Sequence, residues 1–384
     1  MEKVDVAIIG AGPAGSTLAA LLAGRGASVA IIDRDEFPRD KLCGEFLSYD
    51  ALPILERLGL LDAIDAAGAP HIARCRVAGA RRTYEFAFPH EARGVSRMFL
   101  DDLLHRAAVA RGARAIAETA TSIDGTRVIA GEHELEASVL VGAWGRWGRF
   151  DAQLRRPFVQ DRAHRNFGFK RHYRSASSDR DVIELHSFPR GYLGVSGIEG
   201  GLTNICGLVH ASRLTGHKGR WDAFVETIRR ERAGLDAMYA RHEPAQEGFL
   251  SSEPVIFRAR SPVERGVVMI GDASGVIDPL TGNGMAMAIQ SALVAAPFVL
   301  DLLARESDRA AIERKYAAKH HSMFARRIAW SRRVAMLLSR PALLDAALGA
   351  VRGPAAGKLL LRRTRATREE IARLGEAWFG APSS

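Results

Sequence analysis

Apolar residues change their spacing several times along this chain of 384 residues. Val4–Ile9 is a short, β-branched apolar run, the pattern of a strand buried on both faces. The Ala/Leu-rich stretch Ser16–Leu22 predicts a helix, and Ser28–Ile32 a second buried strand ending at Asp33. Together they make a β-α-β unit of about 30 residues. Leu52–Leu61 predicts a helix, and residues 72–88 alternate apolar and polar side chains as antiparallel strands do. Met98–Arg111 predicts a helix capped by Gly112. Ser138–Val141 predicts a buried strand running into the glycine-rich turn Gly142–Gly148.

The texture changes between Phe158 and Phe249. Short alternating segments at Asn166–His172, Val182–Phe188, Tyr192–Ile198 and Thr203–Leu208 predict an antiparallel sheet, followed by a helix over Trp221–Arg232. Gly266–Ile270 is again a buried strand, and Gly284–Leu303 a long Ala-rich helix. From about Glu313 the chain reads as helices broken at Pro341 and at Gly353-Pro354. The expected class is α/β: a split Rossmann-like nucleotide domain, an inserted antiparallel-sheet domain and a helical C-terminal tail. The expected boundaries are 1–70, 95–157 and 250–312 for the nucleotide domain. Residues 71–94 and 158–249 make the inserted domain, and 313–384 the tail.

Composition narrows the function. Hydrophobic residues at 47% and charged residues at 26% exclude a disordered chain. No run is expected to reach the roughly 18 apolar residues of a membrane span, and the N-terminus does not read as a signal peptide. The cysteines, Cys43, Cys75 and Cys206, are odd in number and scattered, which argues against a disulfide scaffold or a metal knuckle. A reducing cytoplasm is the expected compartment. The net charge is +10, but Arg314–Arg365 holds 13 Lys and Arg against one acid, Asp345, leaving the remaining residues near neutral.

Gly10-Ala11-Gly12-Pro13-Ala14-Gly15 follows the first strand and opens the first helix. In that context the glycines allow a tight turn, close approach to a pyrophosphate, and close helix–strand packing. Asp33, followed by Arg34, stands where a ribose hydroxyl would be bound. A second glycine motif follows the Gly266–Ile270 strand. It places Asp272 at the strand end and Gly282-Asn283-Gly284-Met285 at a helix start. A dinucleotide that needs both ends is an extended FAD, with Asp272 at the ribityl chain and the Gly282–Met285 amides at the pyrimidine edge.

With both motifs in order, the chain resembles the flavoproteins of the para-hydroxybenzoate hydroxylase fold, which include aromatic monooxygenases, geranylgeranyl reductases and flavin-dependent halogenases. The resemblance covers about residues 1–312. It implies that Arg97, in Gly94-Val95-Ser96-Arg97, approaches the FAD. The loop Phe37–Ser48 resembles the reductase and halogenase branch, which implies that Cys43 lies near the flavin as a candidate catalytic group or proton donor. Three departures stand out. Tyr192 alone survives from the reductases' Tyr-x-Trp-x-Phe-Pro stretch. The halogenases' Trp-x-Trp-x-Ile-Pro motif is missing. Ala143-Trp144-Gly145-Arg146 replaces an Asp-Gly pair that helps bind FAD and NAD(P)H. Arg146 and Arg149 either replace charge there or are plain surface residues.

The expected activity is an NAD(P)H-dependent monooxygenase acting on a lipophilic aromatic, prenylated or polyketide substrate of secondary metabolism, needing no dedicated protein acid. The alternatives are a reductase of C=C bonds and a non-catalytic flavin-binding partner. In the tail, Trp330, Val334 and Leu337 form a stripe beside Arg326, Arg333 and Arg340. That pattern fits a helix lying on a membrane surface. A helix packed on the body with a solvated basic face fits it too. Nucleic acid is not an expected partner, because no recognition module is present.

Overall fold

Val4–Ile9 is apolar at every position but Asp5 because it lies mid-sheet. In the computed structural model, which describes residues 1–161, 165–175, 179–217, 219–304, 308–351 and 353–380, the strand Glu2–Ile9 pairs in parallel with Val29–Asp33 on one side and His133–Gly142 on the other. Arg114–Ala117 extends the parallel sheet beyond Val29–Asp33, and Val267–Met269 extends it beyond His133–Gly142. The pairing register sets Ile9 beside both Ile32 and Gly142. Gly10, Asp33, Ala143 and Gly271 therefore leave their strands at one edge of the sheet, where ligands bind open α/β sheets. A hairpin of Ala120–Asp124 and Arg127–Ala130, whose short strands the hydrophobic pattern did not reveal, is added to His133–Gly142.

Among the described residues the second sheet holds nine strands and includes Asn166–Ser175, Leu202–His210, Gly191–Gly197, Val182–Phe188, His71–Ala78 and Thr83–Gly94, side by side in that order. It is antiparallel except at one junction, where Val182–Phe188 runs parallel to His71–Ala78. One face, with Phe169, Tyr173, Leu193 and Val195, is covered by the helices Trp221–Glu231 and Ala233–Tyr239. The other face, with Ile72, Ile183, Leu185, Tyr192 and Leu208, packs against Phe46, Leu280 and the tail residues Leu338, Leu344 and Leu361.

Gly284–Ala304 corrects one expectation. With a mean hydropathy of 1.8 it is long and apolar enough to cross a membrane, although 67% of that stretch is buried inside the fold. It packs on the Pro13–Ala23 helix as a core helix of the nucleotide domain. The predicted helix at Leu52–Leu61 is two short ones, Leu52–Arg57 and Leu61–Ala66, separated at Gly59 with its φ of +69°.

The tail is the helices Arg309–Leu338, Pro341–Ala350, Ala355–Thr364 and Arg368–Phe379. It is part of the core rather than an appended arm. Arg327 is buried and donates to Gln290 Oε1 at 2.6 Å, and Asn283 donates to the carbonyl of Thr364 at 2.7 Å. Val334 and Leu337, expected on a membrane-facing stripe, turn inward onto the second sheet.

Candidate flavin site

A cleft of about 690 Å³ runs between the two sheets. Its nucleotide end is built by backbone. Gly10 has a φ of +108°, and a Cβ there would stand 2.3 Å from the Ala143 carbonyl; one on Gly15 would stand 1.9 Å from the Gly10 carbonyl. These two glycines pack the turn. Gly12 serves space instead: its Cβ would meet only the Arg97 guanidinium, at 3.7 Å, and would project into the cleft. Gly12 begins the Pro13–Ala23 helix, so free amides face the same space.

Asp33 lines this end and accepts from the Ala11 amide at 2.7 Å and from Arg39 at 3.2 Å. Arg34 sits at the mouth with an exposed side chain. Arg97 is held by both oxygens of buried Asp101, at 2.7 and 2.6 Å, and Asp101 also takes Arg39 at 2.7 Å. Of the other predicted residues, Pro13, Ala14, Cys43, Asp272, Gly282, Gly284 and Met285 line the cleft. Ala11 and Gly15 stand behind it. Asn283 is turned away toward Thr364, so only its backbone is available to a ligand.

Asp272 has no hydrogen bond or ion pair to its carboxylate among the described residues. Burial raises its pKa, against the pull of Arg146, Arg260 and Arg97. An unpaired acid in a cleft wall needs a partner, and a ribityl chain of hydroxyls supplies one. The open cradle at Gly12, the Asp33 acceptor and the unpaired Asp272 fit an extended FAD. Arg146 and Arg149 both line the cleft beside Trp144 and Trp147. The reading of Arg146 as plain surface is therefore set aside.

Two charged groupings at the far end were not legible as sites in the sequence. Glu45, two residues beyond Cys43, is fully buried and has a φ of +55°. It bonds the Lys170 ammonium at 2.6 Å, His172 Nε2 at 2.7 Å and the Arg97 amide at 3.0 Å. Burial pushes its carboxyl up, but the His172 hydrogen bond and the Lys170 charge outweigh this and hold it below the usual range. Lys170 also reaches Asp40 at 2.6 Å. The signal was Lys170 and His172 at alternate positions of a strand that also carries Arg171 and Arg174. This ionic cluster fixes the Cys43-Gly44-Glu45 loop against the second sheet. Burial raises the Cys43 thiol, so it faces the cleft as a neutral S–H.

The second grouping is Tyr192 and Asp278. The Tyr192 hydroxyl donates to Asp278 Oδ1 at 2.6 Å, and the Leu280 amide donates to the same oxygen at 3.1 Å. Burial pushes the Asp278 carboxyl up to about 6, even with these hydrogen bonds pulling the other way. Burial, reinforced by the Asp278 charge, lifts the phenol well above its usual range. Tyr192 lines the apolar end of the cleft with Ile183, Leu185, Leu208 and Phe257, near Gly282.

Residues 3–171 match the FAD binding domain family. A menaquinone reductase of Mycolicibacterium smegmatis is 26% identical, over 95% of this chain and 91% of its own. A tryptophan 2-halogenase of Chondromyces crocatus is 27% identical over 85% of this chain and 66% of its own. The solved structure of a geranylgeranyl bacteriochlorophyll reductase-like protein of Thermoplasma acidophilum superposes with a TM-score of 0.75 at 19% identity, covering 98% of this chain and all of that one. Residues 3–171 thus form an FAD binding domain, and the fold is shared with flavoproteins that include monooxygenases, halogenases and reductases.

Proposed function

We propose that this flavoenzyme reduces a carbon–carbon double bond in a lipophilic, isoprenoid-bearing substrate. The observation that carries the reading is the buried Tyr192–Asp278 pair in the apolar wall of the cleft. Saturating a double bond takes one hydride and one proton. The bound flavin supplies the hydride. The chain must supply the proton in a pocket that excludes water. When Asp278 is protonated the hydrogen bond reverses, its carboxyl donating to the Tyr192 oxygen; the Tyr192 hydroxyl then gives its proton to the substrate carbon as the Asp278 proton moves to the phenolate oxygen. The pair returns to its starting state when Asp278 takes a proton from solvent. Cys43 is a second protonated group on the same cleft. A menaquinone reductase matched over nearly its whole length supports the reading, as does likeness of fold to a reductase-like protein. We further propose NAD(P)H as the electron donor, with Arg146 and Arg149 meeting its phosphates at the mouth.

This departs from the monooxygenase expected from sequence, which rested on the lost aromatic-Pro stretch. The lost aromatic-Pro stretch still favours oxygen insertion, so the test separates the two. Turnover of a prenylated quinone is run anaerobically and under labelled dioxygen. A product two hydrogens heavier, formed without oxygen, supports reduction. A product carrying heavy oxygen, formed only in air, overturns it.

A further inference from the structure

We infer that the outer face of the C-terminal helices docks on an anionic lipid bilayer. Seven large hydrophobic side chains are exposed among the described residues, and three of them lie on this face: Met336, Leu343 and Leu359. They are set among basic residues. Arg332 precedes Met336 by one helical turn, and Arg340, between this helix and the next, precedes Leu343 by three positions. On the neighbouring helix Leu359 precedes Arg363 by one turn. The two helices are joined at Trp330, which lies between the guanidinium groups of Arg333 and Arg363 at 5.6 and 5.4 Å. Exposed apolar side chains ringed by arginine suit a surface that is hydrocarbon beneath and negatively charged above. The inner face of the same helices carries Leu338, Leu344 and Leu361. These pack into one hydrophobic cluster with Ile183, Leu185 and Tyr192 of the cleft wall. One layer of helix thus separates the proposed bilayer contact from the apolar end of the cleft. A lipid-dissolved substrate would have a short path to it. Only that last point rests on the proposed reaction; the docking itself does not.

The test uses FAD-loaded full-length protein sedimented with phosphatidylcholine vesicles, with and without 30% phosphatidylglycerol. Binding is expected to the anionic vesicles and to weaken with salt. Arg332→Glu combined with Arg362→Glu, both on exposed side chains, is expected to weaken it by about 30-fold or more, from about 1 kcal/mol per basic residue. Leu343→Ser with Leu359→Ser is expected to leave a residual binding that high salt abolishes. Wild-type protein that stays in the supernatant at low salt overturns the inference, as does equal binding by the charge-reversed variant. Preferential binding to duplex DNA over anionic vesicles also overturns it. Turnover of detergent-dispersed substrate by the same variants, unchanged in every case, keeps a failure of docking distinct from a failure of the proposed reaction.

Discussion

Replacing Asp278 with Asn should stabilise the protein while disabling it, and both effects follow from one hydrogen-bonded pair. The carboxyl sits at about 6 against an ordinary 3.8, a gap of about 2 pH units, or about 3 kcal/mol at 1.36 kcal/mol per unit. The sign is that of a raised acid. Its neutral form is favoured in the fold, so folding is not penalised below about pH 3.8. The penalty grows as pH rises through 6 and is then constant. Asn keeps an acceptor for the Tyr192 hydroxyl and the Leu280 amide but never ionises. Its advantage over Asp should be about 1 kcal/mol near pH 4.5 and about 3 kcal/mol above pH 7. An amide N–H left without an acceptor would subtract about 1 kcal/mol, equally at every pH. The robust quantity is therefore the change of about 2 kcal/mol between the two pH values. Urea unfolding of the FAD-loaded protein, at fixed excess FAD and at pH 4.5 and 7.5, reads it directly. A wild-type-to-variant difference that does not change with pH would refute a raised carboxyl at position 278. The same variant should lose turnover by about 100-fold or more, the usual worth of a positioned proton donor.

Wild-type turnover should fall about tenfold per unit as pH rises above about 6, because the competent form carries the proton on Asp278; a stopped-flow pH profile with no such limb counts against the relay. Tyr192→Phe should keep its yellow colour and substrate affinity and lose about 100-fold or more in kcat; unchanged kcat would remove the phenol from the chemistry. Gly12→Val and Asp272→Ala should purify colourless or nearly so, since one fills the phosphate cradle and the other removes an unpaired acceptor; full FAD content in both would displace the site. Lys170→Met leaves Glu45 buried with only His172 and the Arg97 amide as partners and should cost about 3–5 kcal/mol. The Glu45 carboxyl is held low, so the stability it contributes is present above about pH 4.5 and lost on acidification. That acid dependence should flatten in the variant, which thermal unfolding at pH 4 and 7 would show.

Most of the scaffold was legible because burial leaves a periodic mark. Val4–Ile9, Val29–Asp33 and Val267–Met269 are apolar runs since both faces of a parallel sheet are covered. The strands Arg114–Ala117, Ala120–Asp124 and Arg127–Ala130 left no such mark, because they lie at the sheet margin with every second residue in solvent. The Gly10–Gly15 turn was legible because no side chain fits at Gly10 or Gly15. Lys170, His172 and Glu45 were not, because a buried ionic cluster is defined by partners more than 100 residues apart.

The tail shows the division between the two levels. Its charge is a property of composition, and sequence alone established that residues 314–365 hold the surplus of the whole chain. Which way each side chain faces is a property of packing. Arg327 went inside to meet Gln290, and Val334 and Leu337 went inside to cover the second sheet. Met336, Leu343 and Leu359 were left in solvent among the arginines. The sequence likewise determined an FAD cradle, because backbone geometry writes itself as glycine. Only the tertiary structure decided that Tyr192, in the wall of the cleft, and Asp278, 86 residues away, are hydrogen-bonded. A hydrogen bond between distant strands and loops depends on how the layers stack, and no local pattern of residues records that.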